Sequence, residues 1–493
     1  MAVSVRLPRL LDGQMREMKR LSPLRLTLEE TLSPLSSAEM VLAGSGEVSC
    51  GDFVELYDPE GSAGIFRVTA VQTDHGTGGT TRVWLEHGLG TLADSVIAAS
   101  HGCFGLAGQV AAGAFLNAAV TVREGASSSS AALGTLPAGT PVSVLSQSGS
   151  WLEVAAGELQ GFVPQAYVTR NAEAGPFPSS ATVISSGTVY LRVGTANTSY
   201  TITALSPGDT VTVVGSRGSW YMASTGESTG WVQKAYLQLG DAVVLEDLTV
   251  SDVLSDLLNT FQPGGLWAVG EATAAAGLGY LFGQENLLEA ILRIPDSLPG
   301  AWRWVTDQTA LPWRLSLMPL DDAPESELRL RRNLTGLRVT VDRGELCTVM
   351  VPLGKDGLTI AEVNGGSASL VSPGAAVWGR VERLYRDAQE DDPAALKAAA
   401  QTALNRLSAP VVTVEADALA LRSVTGEPLD GLRVGGVCRL PLPGAGDGLR
   451  ERIVSLQWED VLGEPERVRV TMANRLQSAS ALLAEMNSRI SIR

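Results

Sequence analysis

The feature that most constrains this chain is a duplication between residues 118 and 238. At one constant offset of 69 residues, Arg123 meets Arg192, Gly139 meets Gly208, Trp151 meets Trp220, Gly161 meets Gly230 and Tyr167 meets Tyr236. The surrounding words agree as well, LPAGTPVSVLSQSGSWLEV with LSPGDTVTVVGSRGSWYMA, and GFVPQAYV with GWVQKAYL. A gap-free register over these anchors marks one small unit written twice. Two copies are too few for a solenoid, so two separate small domains are expected. Short β-branched runs at 120–122 and 142–145, and again at 189–193 and 211–214, are separated by turn residues, which predicts a small β-barrel for each copy. Residues 170–186, with Pro176 and Pro178, read as the linker between them.

At 493 residues the chain is long enough for several domains. Apolar residues are 45 % and charged residues 18 %, a globular balance without the signature of disorder. Abundant glycine (53) and short apolar runs favour β modules over helical ones. No apolar run reaches the length of a membrane span, and residues 1–14 lack the apolar core of a secretory signal. A product made in the cytoplasm, with no membrane insertion, is therefore expected. The formal charge of −16 argues against a surface that wraps nucleic acid, so no sequence-specific nucleic acid binding is expected. Cys50, Cys103, Cys347 and Cys438 are far apart with no CxxC pair, which argues against a zinc site and a disulfide framework.

Taken in order, residues 1–20 carry Arg6, Arg9, Arg16, Lys19 and Arg20 and read as a basic arm or a frayed terminus. Leu24, Leu26 and Leu28 alternate with polar partners as in a half-buried strand. Strands at 53–57 and 65–71, joined by Asp58-Pro59-Glu60-Gly61, and a third at 81–87 predict a β meander. Residues 91–114 are Gly/Ala/Ser-rich and read as a tether. Val253, Leu254, Leu257 and Leu258 share one face of a helix over 250–258, stopped at Pro263-Gly264-Gly265, and a second short helix spans 286–293. Residues 302–305 and 313–317 form a hairpin pattern. A third helix runs from Asp392, a plausible N-cap before Pro393, to Leu407 with Leu396, Ala399, Ala400, Ala403, Leu404 and Leu407 on its apolar face. Strand patterns fill 411–472, and residues 478–489 form a short amphipathic tail.

The doubled unit resembles bacterial SH3-like domains through VYLRVG, LSPGDTVTVVG, GSWYMA and GWVQKAYL in copy two. Copy one fits more loosely, because VTVREGASSSS lacks the apolar residue that Leu191 provides. In that family the domains often bind cell-wall peptides or act as spacers. The flanking body resembles the phage tail-hub family, including the N-terminal part of tail-associated lysins and the hubs of contractile tails. The carrying words are FVELYDPEGSAGIFRV, VWLEHGLGTLADSVI, VPLGKDGLTIAEVNGGSASLVSPGAAVWGRVERL and LDGLRVGGVCRLPLP followed by ERIVSLQWED. The resemblance implies a homotrimer whose β-barrel pairs form a pseudo-six-fold ring, joining a six-fold tail tube to a three-fold spike or tip. Exposed sheet edges in such an assembly need partners.

The expected fold class is mainly β with some α (α+β), with barrel-like hub domains and two small inserted SH3-like barrels. The expected partition is 1–114 as the first part of the hub body, 115–170 and 187–240 as the SH3-like domains with 171–186 linking them, 241–335 as an α+β part, 336–475 as a second β-barrel part with one helix, and 476–493 as a tail. Expected partners are the tail tube protein, the spike or tip protein and other baseplate proteins. The SH3-like domains add peptidoglycan or baseplate contacts, in a chain that ends as part of a virion or tail-like particle. The alternative is a cell-wall-binding hydrolase or its targeting subunit.

Catalytic chemistry is sparse in the sequence. His75 lies in a TDHGTGG hairpin tip and His87 ends a strand. His101 and Cys103 sit two apart, which invites a cysteine-peptidase reading, but nucleophile and base ordinarily come from distant parts of a chain. Asp391 and Asp392 look like helix-start charges rather than a carboxylate pair. Residues 444–448 and 44–51 lack the Lys-Ser/Thr of a phosphate loop. No catalytic residue, metal ligand or cofactor is expected. Trp151, Tyr167, Trp220, Tyr221, Trp231 and Tyr236 enrich the doubled unit in aromatics. They either fill two very small cores or present a face to a wall peptide or sugar, and contact with baseplate neighbours is a third option.

Overall fold

The structure, a computed structural model, describes residues 5–32, 35–44, 48–99, 101–104, 114–156, 159–170, 178–226, 228–242, 248–262, 265–277, 279–298, 300–387, 390, 393–441 and 448–474. The chain divides into two compact units, Met1–Gly88 with Leu320–Arg493, and Leu89–Pro319.

The first unit is built on a 13-stranded sheet. Its main path runs Glu17–Arg20, Arg9–Leu11, Phe53–Tyr57, Ser62–Thr73, Thr80–His87, Ser37–Ala43, Arg25–Thr31, Leu449–Trp458, Arg467–Ala473, Val411–Leu419 and Leu334–Asp342. Val437–Leu440 joins it beside Leu449–Trp458, and Pro324–Glu327 pairs with Val437–Leu440 in parallel. The N-terminal strands are not a simple meander. The run 53–87 does go up and down as expected, but Ser37–Ala43 adds outside Thr80–His87 and carries Arg25–Thr31 beyond it. Only there does the alternating Leu26/Leu28 face meet apolar partners from the far end of the chain. Leu28 lies opposite Trp458 and Glu30 opposite Leu456. Leu26, Leu28, Leu456 and Trp458 are buried in one core with Met40, Val54, Phe66, Val83, Val470 and Met472. Leu24, the third member of the alternating set, is exposed.

Residues 5–20 are not a free basic arm. Leu10 and Leu11 are buried, and the strand Arg9–Leu11 pairs with both Glu17–Arg20 and Phe53–Tyr57. Arg9 is held by Glu55 and, at 3.3 Å, by Glu17. Residues 1–4 lie outside the described residues. The helix Pro393–Leu407 forms where expected, and Leu396, Ala400 and Leu404 pack on Cys347, Met350, Ile360 and Leu370. Asp391 and Asp392, residues 442–447, and the tail from 475 onward lie outside the described residues.

In the second unit the duplication is visible bond by bond. Copy one is a five-stranded sheet in the order Ala132–Leu136, Val120–Arg123, Leu159–Pro164, Trp151–Ala156, Ser143–Ser148. Copy two repeats it with Thr201–Leu205, Val189–Arg192, Thr229–Gln233, Trp220–Ser224 and Thr210–Arg217, then adds Ser179–Val183 and Leu237–Ala242. Arg123 pairs with Phe162 and Arg192 with Trp231, each just after a bulge. Arg123 Nη1 donates to Ser130 O at 2.8 Å, and Arg192 Nη1 to Ser199 O at 2.9 Å. Gly139 and Gly208 turn at φ 81° and 86°, the left-handed region that favours glycine. Among the described residues neither strand path closes on itself, so the copies are open sheets rather than closed barrels. In copy one the strand that would close it, Val168–Arg170, pairs with Ala114–Leu116 in a separate two-stranded sheet. In copy two Ser179–Val183, expected to be linker, bridges Thr210–Arg217 to Leu237–Ala242. Residues 171–177 of the expected linker lie outside the described residues. Val122 takes the place of Leu191, and both are fully buried, so copy one has its apolar anchor after all.

The remainder of this unit combines short strands with the helices Val250–Phe261 and Leu287–Arg293. The helix Val250–Phe261 starts with a capping box between Thr249 and Asp252 and buries Val253, Leu254, Leu257 and Leu258 as the spacing predicts. Asn286 and Glu289 form the same box for the helix Leu287–Arg293. Trp302–Asp307 and Trp313–Pro319 form the expected hairpin. Pro263 and Gly264 lie outside the described residues. The expected tether is partly ordered into strands: Val96–Ile97 pairs with Glu285–Asn286, and His101–Phe104 with Gly279–Phe282. Residues 105–113 of it lie outside the described residues. Among the described residues no helix is long and apolar enough to cross a membrane.

Candidate functional site

The six aromatics of the doubled unit do not form one face. Trp220 and Trp231 are buried with Phe115, Val214 and Met222. Tyr221 packs against the core of copy two and carries Lys234 Nζ over its ring at 5.0 Å. Trp151 is half-buried at the start of its strand. Tyr167 and Tyr236, which close matching 3-10 turns in the two copies, are each 38 % exposed. Of the six, the duplicated tyrosine is the exposed pair, one in each copy.

A second set of residues converges away from those aromatics. His101 and Cys103 alternate along the strand His101–Phe104, so their side chains leave the same face. That face meets the helix Val250–Phe261 at Asp256. His101 Nε2 bonds to Asp256 Oδ2, and the Cys103 thiol donates to the same oxygen at 2.9 Å. The His101 ring stands edge-on to Phe261 with centroids 5.0 Å apart. Burial, reinforced by the neighbouring Asp256 carboxylate, pushes the Cys103 thiol well above its ordinary pKa. Burial also works to raise Asp256, but the bonds from His101 and Cys103 outweigh it and hold that carboxyl below its usual value. A cysteine nucleophile needs the reverse, a thiol whose proton is drawn off by imidazole. Here the carboxylate receives both groups, an arrangement unsuited to a cysteine peptidase.

Cys103 and Asp256 also line a cavity of about 360 Å³, together with Asn117, Gly139, Thr229 and Asp252. Asn117 Nδ2 donates to Ala166 O and to Thr169 Oγ1, both at 3.1 Å, while its buried Oδ1 has no protein partner. Sequence reasoning missed Asp256, which lies 153 residues from Cys103. The available signal was the period-2 spacing of His101 and Cys103, which places them on one strand face.

In the first unit, the strand Leu334–Asp342 ends the sheet path. It pairs with Val411–Leu419 on one side, and Val339 and Val341 are 42 % and 53 % exposed. Among the described residues its other backbone edge takes no strand.

Residues 323–483 match the family model described as prophage endopeptidase tail, and residues 118–169 match the bacterial SH3 domain. The SH3 match falls on copy one, the copy whose words fit that family more loosely. No curated protein matches the chain. Among solved structures, a prophage tail protein from Listeria monocytogenes is 11 % identical, with 99 % of this chain and 100 % of that one covered at a TM-score of 0.46. A tail protein from Neisseria meningitidis is 11 % identical over 96 % and 97 % of the two chains, at 0.46. The tail protein of prophage MuSo2 from Shewanella oneidensis is 8 % identical over 96 % and 98 %, at 0.48.

Proposed function

We propose that this chain, which carries a prophage-tail segment and a bacterial SH3 segment, is a structural hub or tail-tip adaptor. It would serve in a phage tail or a phage-derived contractile injection particle. In this reading three copies assemble and join the six-fold tail tube to a three-fold spike or tip. The SH3-like copies contact the cell wall or neighbouring baseplate proteins. The carrying observation is that the prophage-tail match, 323–483, contains the strand Leu334–Asp342 with its open edge. An unpaired edge bearing exposed valines is a ready template for a strand from another chain. Such a protein is made in the producing cell and ends in the virion or tail-like particle. Tyr167 and Tyr236 are the residues offered to peptidoglycan.

The word endopeptidase in the matched family's description favours a second reading, a wall-binding hydrolase or its targeting subunit. The convergence of His101 and Cys103 on one carboxylate oxygen weighs against hydrolysis by that cysteine.

Light scattering on the purified chain across a dilution series tests the first reading, alone and mixed with a phage tail tube protein. A mass of three chains, reduced by Val341→Lys, is the expected result. A monomer that stays monomeric with tube protein and releases soluble fragments from purified cell walls would overturn it in favour of the hydrolase.

A further inference from the structure

We infer that His101, Cys103 and Asp256 form a binding site for one divalent transition-metal ion of borderline softness, with zinc the best fit. The argument begins with the donor set. Imidazole, thiolate and carboxylate are the three kinds of protein ligand that zinc accepts, and they come here from a strand and a helix that meet at His101, Cys103, Asp256 and Phe261. Their ligand atoms all lie within 4.8 Å of one another, with Cys103 Sγ and Asp256 Oδ2 at 2.9 Å. Zinc bonds of about 2.0–2.3 Å in tetrahedral geometry place donors about 3.4–3.6 Å apart, so Cys103 and His101, both bonded to Asp256 Oδ2, draw back from that oxygen by side-chain movement as the ion enters. Among the described residues, this is the one place where three such donors meet.

Charge points the same way. A thiolate and a carboxylate together carry two negative charges, which balance a dication, while the imidazole binds as a neutral ligand. Binding therefore releases the thiol proton to solvent and leaves no net charge in a partly buried site. Without an ion, the one carboxylate oxygen takes both the His101 bond and the weak S–H donor bond of Cys103.

The surroundings supply what three ligands leave open. Cys103 and Asp256 line the cavity described above, which gives the ion a route in and leaves a fourth position for a water. Asn117, whose buried Oδ1 has no protein partner, lines the same cavity. Asp252, one helical turn before Asp256, adds a second carboxylate to the wall and attracts cations. An ion at this point ties the strand His101–Phe104 to the helix Val250–Phe261, so binding and stability of this unit are coupled.

The test uses the full, untagged chain. After dialysis against micromolar zinc and removal of free metal, elemental analysis should find about one zinc per chain. Cobalt loading should give a thiolate-to-cobalt charge-transfer band that survives Cys50→Ser and disappears in Cys103→Ser. His101→Ala and Asp256→Asn should each weaken zinc binding by about 10-fold or more. Should a variant fail to fold, the wild-type chain still decides: zinc should raise its melting temperature and a chelator should reverse the rise. Stoichiometric zinc retained in the His101→Ala/Cys103→Ser double variant, a charge-transfer band lost in Cys50→Ser, or no binding by the wild type would each overturn the site.

Discussion

Replacing Gly161 with alanine tests why the duplicated unit repeats its glycine at all. A Cβ at Gly161 would sit 2.5 Å from Arg123 O, 2.8 Å from Val122 Cγ1 and 2.9 Å from Leu133 Cδ1. The first contact is with backbone, so the carbonyl must retreat by about 0.9 Å to reach ordinary van der Waals distance. That motion pulls apart the single ladder pair Arg123–Phe162 through which the strand Val120–Arg123 joins Leu159–Pro164. Overpacking costs about 1–3 kcal/mol and a lost hydrogen bond about 1 kcal/mol. The stiffer unfolded chain returns about 0.4–1 kcal/mol. The net expectation is a loss of about 2–3 kcal/mol, confined to copy one. Gly230→Ala should cost less, about 1–2 kcal/mol, because its nearest backbone atom, Arg192 O, is 2.9 Å away and its closest contact is the movable Ile202 Cδ1. Hydrogen exchange followed by mass spectrometry reads this locally: peptides covering 120–123 and 159–164 should exchange roughly 30- to 150-fold faster in Gly161→Ala. Peptides of copy two should be unchanged. If Gly161→Ala exchanges within about threefold of wild type, or Gly230→Ala is the worse of the pair, the close approach is not what the glycine is for.

Three further outcomes follow from the first unit. Trp458→Ala, at a 2 % exposed position opposite Leu28, should destabilise that unit by about 3–5 kcal/mol in urea unfolding, and a loss under about 1 kcal/mol would mean that the two ends of the chain do not share a core. Asp430 is fully buried and accepts bonds from Arg332 and Thr425, both at 2.7 Å. Arg332→Met should cost about 2 kcal/mol, less than the ~3–5 of a fully buried pair because Arg332 is 40 % exposed, and Asp430→Asn added to it should recover part of the loss. Burial pushes Glu451 up to about 6. The folded state therefore holds its proton above the unfolded value of about 4.3, and stability falls as pH rises through that window. Glu451→Gln should raise the melting temperature above pH 6 and leave it unchanged below pH 4, and the opposite pattern would show that the carboxylate is welcome where it lies.

Local order was legible where one face of an element is buried and the other is wet. The helix faces at 253–258 and 396–404 and the alternating Leu26/Leu28 strand are period signals, and the core reads the same residues. The duplication was legible for a related reason. Arg123/Arg192 and Gly161/Gly230 are parts of one crossing, so neither can drift without the other, and the constant offset records that coupling. Sheet order was harder to read. Nothing in the spacing of 37–43 says that it adds beside 80–87, because the choice depends on which neighbour buries Leu26 and Leu28.

The three-donor cluster marks where local reasoning stops. Taken as sequence, His101 and Cys103 stand in a glycine-rich stretch whose composition argues for a tether. What makes the stretch a strand is outside it: Gly279–Phe282 supplies the ladder, with Tyr280 opposite Cys103 and Phe282 opposite His101. Phe282 and Ile97 are buried at 1 % and 0 %, so the pairing is held by apolar burial that the glycines themselves do not announce. Once the strand exists, its period of two turns both donors to one side, and the apolar stripe Val253–Leu254–Leu257 fixes the rotation of the facing helix. Asp256, beside that stripe and partly exposed, reaches the strand. The convergence thus follows from two ordinary burial patterns and a pairing between residues far apart in the chain, and it needs no dedicated sequence motif.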